Sequence, residues 1–319
     1  MAEFGIEGFY AYKPDRAAAI AFAVLFGILI QFSLIETTVA ARNNKKLMST
    51  WRSIKLPDDA SELRFFSTIS LRWAYSPFIL GIVLEFVGYV VRTVSIKKPT
   101  KSTFIVQSVF LLIAPSLYSA SIFMLFSKMA HLLFLERYMV FPARYNTLFF
   151  LVGDMTGRVL QAAGGGLLSS LDNLNTARIL IIVGLFIQIF CYGILMLNQI
   201  FFHYKMKTES NGIIQSNKVW FRFNYILLGG NILIIARSIV RAIEFIMGLQ
   251  SYIIQHEWCL YVFDTVPMFL LPLIFLVCFH ASNVFKLQEE SVDAQLSWNF
   301  PIQETDKSNS DAERPVSEV

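Results

Sequence analysis

Seven stretches of about twenty or more predominantly apolar residues run through this chain, at roughly 17–39, 73–93, 104–127, 147–170, 178–202, 224–248 and 257–281. A helix needs about 20 such residues to cross the hydrocarbon core of a bilayer. No water is available there, so each backbone N–H and C=O must be satisfied within its own segment. A chain with seven such runs is expected to be an all-α membrane protein, a seven-transmembrane helix bundle. Composition closes the soluble routes. Only 16% of the 319 residues are charged, against about 25% in a soluble domain. A soluble enzyme, a nucleic-acid-binding domain and a disordered protein are thereby excluded. The first run is too long for a signal peptide, and no small-residue cleavage site precedes Arg42, so it reads as a retained span. Cys191, Cys259 and Cys278 are too few, and too apolar in their surroundings, for a disulfide framework.

Orientation follows from the distribution of Lys and Arg, which favours cytoplasmic loops. The connection 40–72 carries Arg42, Lys45, Lys46, Arg52, Lys55, Arg64 and Arg72. With the connections 128–146 and 203–223 that side holds fourteen basic residues, against six on the other side. This bias predicts a short extracellular amino-terminal segment, 1–16, and a cytoplasmic carboxyl terminus. Beyond Lys286 and including it, three basic and eight acidic residues give the end of the chain a net charge of −5. Segment 282–319 is accordingly expected to be a disordered acidic cytoplasmic tail.

Ionisable groups in hydrocarbon are costly unless paired or turned toward a polar cavity. The expected spans nevertheless contain Glu36, Glu85, Arg92, Asp154, Arg158, Arg237, Arg241, Glu244 and Asp264. Arg237, Arg241 and Glu244, spaced four and three apart, share one face of the sixth helix, and Asp154 and Arg158 share a face of the fourth. Glu85 and Arg92 lie seven residues apart, about two turns, so each is expected to meet a group on another helix. Asp264 has no basic neighbour in its own span, which makes the sixth-helix arginines its natural partners. Two readings compete for these charges. They either join helices as ion-pair glue or line a pathway for an amphiphile's head group. The pathway candidates are Glu85, Arg92, Asp154, Gln161, Arg237, Arg241, Glu244 and Asp264.

Gly164, Gly165 and Gly166 point to close helix packing or to a broken helix beside a binding site. Pro115, Pro267 and Pro272 are expected to kink their helices and to free backbone carbonyls. The four histidines, His131, His203, His256 and His280, lack metal-ligand spacing, and no Gly-rich phosphate loop or nucleophile elbow occurs. No catalytic residue, metal or cofactor is expected.

Six pieces, in order along about residues 10–285, resemble the fungal lipid-translocating exporter family. They are LEFVGYVVR with Glu85, Gly88, Tyr89 and Arg92; APSLYSASIFM with Pro115 and Tyr118; DMTGRVLQAAGGG with Asp154, Gln161 and Gly164 to Gly166; GLFIQ with Gly184 and Gln188; RSIVRAIEF with Arg237, Arg241 and Glu244; and HEWCLYVFD with Glu257, Tyr261 and Asp264. The resemblance implies a seven-helix plasma-membrane protein that moves lipids or related amphiphiles, such as sphingoid bases and sterol amines, between leaflets. It also implies resistance to toxic amphiphiles, with membrane lipid or amphiphilic drug as partner and no nucleic acid. Arg158 stands where the family pattern is usually apolar, which implies an extra pair on the fourth helix.

Two other seven-helix classes share this span count. Glu136-Arg137-Tyr138 is similar to the acidic-Arg-Tyr triplet of rhodopsin-like receptors, but no Asn-Pro-x-x-Tyr follows in the last span. A receptor-type sensor of lipid asymmetry that transports nothing is the alternative function. A ceramidase-like zinc hydrolase would need histidines clustered with an acid at one membrane face, and the spacing does not supply them.

Overall fold

The computed structural model describes residues 14–54, 63–97, 100–134, 143–167, 174–208, 219–248 and 256–299. Residues 1–13, the Glu136-Arg137-Tyr138 triplet and the tail from 300 onward lie outside them. Among the described residues every regular element is helical. They are α1 (Arg16–Ser53), α2 (Thr68–Lys97), α3 (Lys101–Leu132), α4 (Ala143–Leu167), α5 (Leu174–Thr208), α6 (Val219–Met247), α7 (Glu257–Phe279) and α8 (Val284–Asn299). Each expected apolar run falls within a helix or nearly so. α1 to α6 continue past at least one end of their runs, because propagation beyond the bilayer adds a hydrogen bond per residue.

Six helices are long and apolar enough to cross a membrane: α1, α2, α3, α5, α6 and the α7–α8 run. This is a multi-pass membrane protein. α4, at 25 residues, has the length of a span but carries Asp154 and Arg158 near its middle, which lowers its apolar content. It packs tightly along α5 and more lightly on α3. Large apolar side chains such as Ile35, Trp73, Val159, Phe190 and Val277 stay exposed around the bundle, as expected of a surface that meets lipid. The interior is aromatic. Phe26, Tyr89, Tyr118, Phe123, Phe126, Phe150, Tyr192, Phe202 and Phe223 are all almost fully buried.

The proline at the start of the last span has a defined local effect. α7 begins as one α-turn, widens to a π-helical turn over Tyr261–Thr265, and resumes as α-helix at Val266. Pro267 has no N–H to offer the carbonyl four residues earlier, and the widened turn immediately precedes it. Asp264 sits inside this turn. Such π-turns recur where a side chain must be aimed out of regular helical register.

The structure corrects the expectation that disorder begins at 282. Val284–Asn299 is a helix whose Val284, Phe285, Leu287, Val292 and Ala294 are buried. It packs against α1, α3 and α6. Two glutamines seven residues apart hold the extended segment before α2. Gln288 accepts from the Phe66 N–H at 2.8 Å and donates to the Phe66 carbonyl at 3.2 Å, while Gln295 does the same with Arg64 at 2.8 and 3.3 Å. Ser291 donates to the Leu132 carbonyl at 2.7 Å. The acid-rich composition hid an amphipathic pattern: the acids Glu289, Glu290 and Asp293 lie between the buried positions. α8 covers the end of the bundle where α1, α3 and α5 finish and α2 and α6 begin.

At the opposite end Gly248 adopts φ of +88°, a left-handed conformation that glycine takes without steric cost. Arg178 at the start of α5 donates to the last carbonyls of α6, reaching Phe245 at 2.7 Å and also Ile246. A cation at a helix carboxyl end satisfies orphan carbonyls and opposes the helix dipole.

Candidate functional site

The charged residues gather in the half of the bundle away from α8. They come from the second halves of α2 and α6, the start of α7 and the middle of α4. Asp264, aimed inward by the π-turn, holds two arginines one turn apart on α6. Arg237 forms a close ion pair with it, and Arg241 Nη2 donates to Asp264 Oδ2 at 2.7 Å. Arg241 Nη1 also reaches Glu244 Oε2 at 3.2 Å. The stripe is graded in access. The Arg237 side chain is 5% exposed, whereas those of Arg241 and Glu244 keep 26% and 18%.

Arg237 also shows what Pro115 does. The ring of Pro115 removes the N–H that would bond the carbonyl of Leu111, four residues earlier. α3 stays continuous there, and Arg237 Nη2 donates to that freed carbonyl at 3.4 Å. A proline in α3 thus creates an acceptor for an arginine of α6. Pro115→Ala would return a donor to Leu111 and take this acceptor from Arg237. The expected outcome is thermal stability in detergent equal to or above that of the wild type. A clear loss of stability would show that the Leu111 carbonyl matters more to Arg237 than a regular hydrogen bond does to α3.

A second ion pair lies toward the outer rim. Arg92 Nη2 meets Glu257 Oε1 at 2.9 Å, and Glu257 Oε2 accepts from the backbone N–H of Asp15 at 2.6 Å, tying the starts of α1 and α7 to α2. The Arg92 guanidinium lies 5.6 Å from the Tyr261 ring centroid. Phe22 stacks on Tyr261 and Phe26 on Tyr89, so α1 contributes an aromatic wall beside this pair. Tyr89 and Thr265 share a hydroxyl–hydroxyl hydrogen bond of 2.6 Å across α2 and α7.

The third cluster joins α3, α4 and α5. Arg158 lies 3.7 Å from Asp154 and donates from Nε to Ser116 Oγ at 2.6 Å. Gln188 accepts from Gln161 at 2.7 Å and donates to Asp154 Oδ1 at 3.1 Å, and Tyr192 also donates to Asp154. Arg158 is within electrostatic range of Arg237, so the α4 cluster and the α6–α7 cluster form one polar core. The outward side of α4 is a separate environment. Leu151, Val152, Met155, Thr156, Val159 and Leu160 line an apolar groove there of about 430 Å³.

Of the eight pathway candidates, Arg237, Arg241, Glu244 and Asp264 meet in one cluster, Asp154 and Gln161 in another, Arg92 pairs with Glu257, and Glu85 is buried within electrostatic range of Arg237, Arg241 and Asp264. Glu36 lies apart, within electrostatic range of His280. Glu257, Ser116 and Tyr192 join the core without having been candidates. Glu257 sits at the very edge of its apolar run, while Ser116 and Tyr192 carry no charge to mark them. The glycines divide. A Cβ on Gly164 would sit 2.7 Å from the Ala177 carbonyl oxygen of α5, whereas on Gly165 or Gly166 it would meet nothing within 4 Å. α4 runs unbroken through Leu167, so Gly164 is a packing contact and the broken-helix expectation is corrected. His131 lies beside Phe66 and His203 bonds Asn224, and no metal-holding group of three His, Cys, Asp or Glu occurs among the described residues.

Residues 78–288, more than half of the chain, match the family described as RTA1 like protein. The chain belongs to the RTA1-like family. It is 58% identical over 81% of its length to the uncharacterized membrane protein YLR046C of Saccharomyces cerevisiae, covering 96% of that protein. It is 38% identical over 88% of its length to protoporphyrin uptake protein 1 of the same yeast, covering 95% of it. A more distant relative, the sphingoid long-chain base transporter RSB1 of Saccharomyces cerevisiae (strain Lalvin EC1118 / Prise de mousse), is 24% identical over 69% of this chain and 67% of its own length. No solved structure matches. All six ordered pieces seen in the sequence fall within the matched residues.

Proposed function

We propose that this protein moves lipids or lipid-like amphiphiles, sphingoid bases and sterol amines among them, across the plasma membrane, and so confers resistance to toxic ones. α4 completes a seven-span bundle in this reading, with the amino terminus outside and α8 on the cytoplasmic side. The head group passes through the polar core while the acyl or sterol part stays in lipid. The observation that carries the reading is the core itself. Arg92, Asp154, Arg158, Arg237, Arg241, Glu244, Glu257 and Asp264 are gathered from four helices into the interior of an apolar bundle. Burying that many charges is expensive even when they are paired. A head group entering at the more open Arg241–Glu244 end can exchange ionic partners stepwise, so no charge is stranded during passage.

Relatives named for sphingoid base transport and protoporphyrin uptake are consistent with amphiphilic cargo. The test is flux in liposomes holding the purified full chain, over a panel of sphingoid bases, sterol amines and phospholipids. A rise in flux above protein-free vesicles for at least one class is expected, together with its loss in Arg241→Ala. Flux at the protein-free level for every class, with the protein correctly folded, would overturn transport and leave a sensor.

A further inference from the structure

Each base in the polar core has an acid beside it, but one acid has no base of its own. Arg92 pairs with Glu257, Arg158 with Asp154, and Arg237 and Arg241 share Asp264 and Glu244. Glu85 is the fifth acid against four bases. It is 2% exposed on α2 and, among the described residues, makes no ion pair or hydrogen bond. It is one turn before Tyr89 and two turns before Arg92 on its own helix. From α6 it faces Arg237 and Arg241, from α7 Asp264, and from α3 Tyr118. α1 reaches this region with the rings of Phe22 and Phe26 against Tyr89. The Tyr118 hydroxyl is likewise buried without a hydrogen-bond partner. The Tyr89 hydroxyl is engaged by Thr265.

A surplus carboxylate beside an already neutralised Arg–Asp cluster would leave an isolated charge in a low-dielectric interior, which proteins avoid. We propose that Glu85 is a reversible proton-binding site whose proton is exchanged for the positive charge of a cargo head group. The proposal rests on the transport reading above. With the core empty, Glu85 holds a proton and the core is neutral. When a cationic head group arrives, the O–H bond of Glu85 breaks and the proton leaves to water. The carboxylate then pairs with the cation, so the charge of the core is unchanged and one proton counter-moves per cargo molecule. This supplies an energy source for a chain that has no phosphate-binding loop. Glu85 and Tyr118 come from adjacent helices that also meet at Gly81, where a Cβ would lie 2.7 Å from the Tyr118 ring, so close packing fixes their relative position.

Two readouts on the full chain test the proposal separately from transport. Infrared pH titration of purified wild-type protein is expected to show a protonated-carboxyl carbonyl band at neutral pH that is missing in Glu85→Gln. No such band in the wild type, or an identical band in the variant, overturns the proton site whatever the flux. The second readout is accumulation of N,N,N-trimethylsphingosine, whose fixed charge cannot follow a pH gradient by losing its own proton. One exchanged proton predicts about tenfold accumulation per pH unit, collapsing to the no-gradient ratio in Glu85→Gln. Wild-type flux that ignores the gradient overturns the exchange and leaves transport standing. No wild-type flux for any probe overturns transport, and the exchange with it.

Discussion

Asp264→Ala is expected to cost about 3–5 kcal/mol of stability, the range seen when one partner of a buried ion pair is removed. The charge arithmetic at this site is unforgiving. Asp264 is the shared partner of Arg237 and Arg241, and among the described residues only Arg241 makes a second ion pair, with Glu244. Without Asp264 the nearly buried Arg237 keeps, among the described residues, one hydrogen-bond acceptor, the neutral Leu111 carbonyl, and no ion pair. Thermal unfolding in detergent micelles, followed by size-exclusion chromatography, should show a large drop. The same pair offers a way to separate architecture from transport. In Arg237→Met with Asp264→Leu both charges are replaced by apolar groups of similar bulk. Such replacements of buried ion pairs are often neutral or stabilising, so the double variant should recover most of the lost stability. On the proposed transport reading, flux should be abolished in both variants. A double variant that is stable and carries amphiphiles at the wild-type rate would reduce Arg237 and Asp264 to helix-joining roles.

That pairing is also the part of the site most legible in the sequence. Spacings of four and three put Arg237, Arg241 and Glu244 on one face, and the absence of any base near Asp264 pointed across to them. Six of the expected spans were legible because apolar length alone fixes them, whereas α4 has the length of a span without the apolar content. Other features have no such signature. The Arg92–Glu257 pair was obscured because Glu257 falls at the edge of its apolar run, where an acid is usually taken as solvated. The link from Pro115 to Arg237 depends on which side of α3 meets α6, and a single strand of sequence does not record that. The π-turn that aims Asp264 was foreshadowed only by Pro267. α8 was misread because its composition, rich in acid and glutamine, outweighed a short amphipathic pattern. Gln288 and Gln295 act there as substitutes for a neighbouring backbone, a role that no composition reveals.

The glycines of α4 and α5 supply the second large effect, with a control in the same helix. Gly157 and Gly184 face each other where the two helices cross. A Cβ on Gly184 would sit 2.5 Å from the Gly157 carbonyl oxygen, and one on Gly157 would sit 2.7 Å from the Gly184 carbonyl oxygen. Backbone cannot rotate away as a side chain can, so Gly184→Ala must separate the helices. Its cost is expected at the upper end of the about 1–3 kcal/mol typical of overpacking, and Gly184→Val should exceed it. Small residues of this kind let helix backbones approach closely inside membranes. The consequence reaches the polar core, because the bonds from Gln188 to Gln161 and Asp154 span this same crossing at 2.7 and 3.1 Å. Moving α5 outward weakens the bonds from Gln188 and Tyr192 to Asp154, which is 1% exposed, and leaves it chiefly Arg158 on its own helix. Gly165→Ala is the counter-case. Its Cβ meets nothing within 4 Å, and alanine is a better helix former by about 0.5–1 kcal/mol. Thermal unfolding of the two alanine variants should therefore move in opposite directions, with flux lost only in Gly184→Ala. Equal destabilisation by both would mean that glycine content, rather than the α4–α5 contact, holds this part of the core in place.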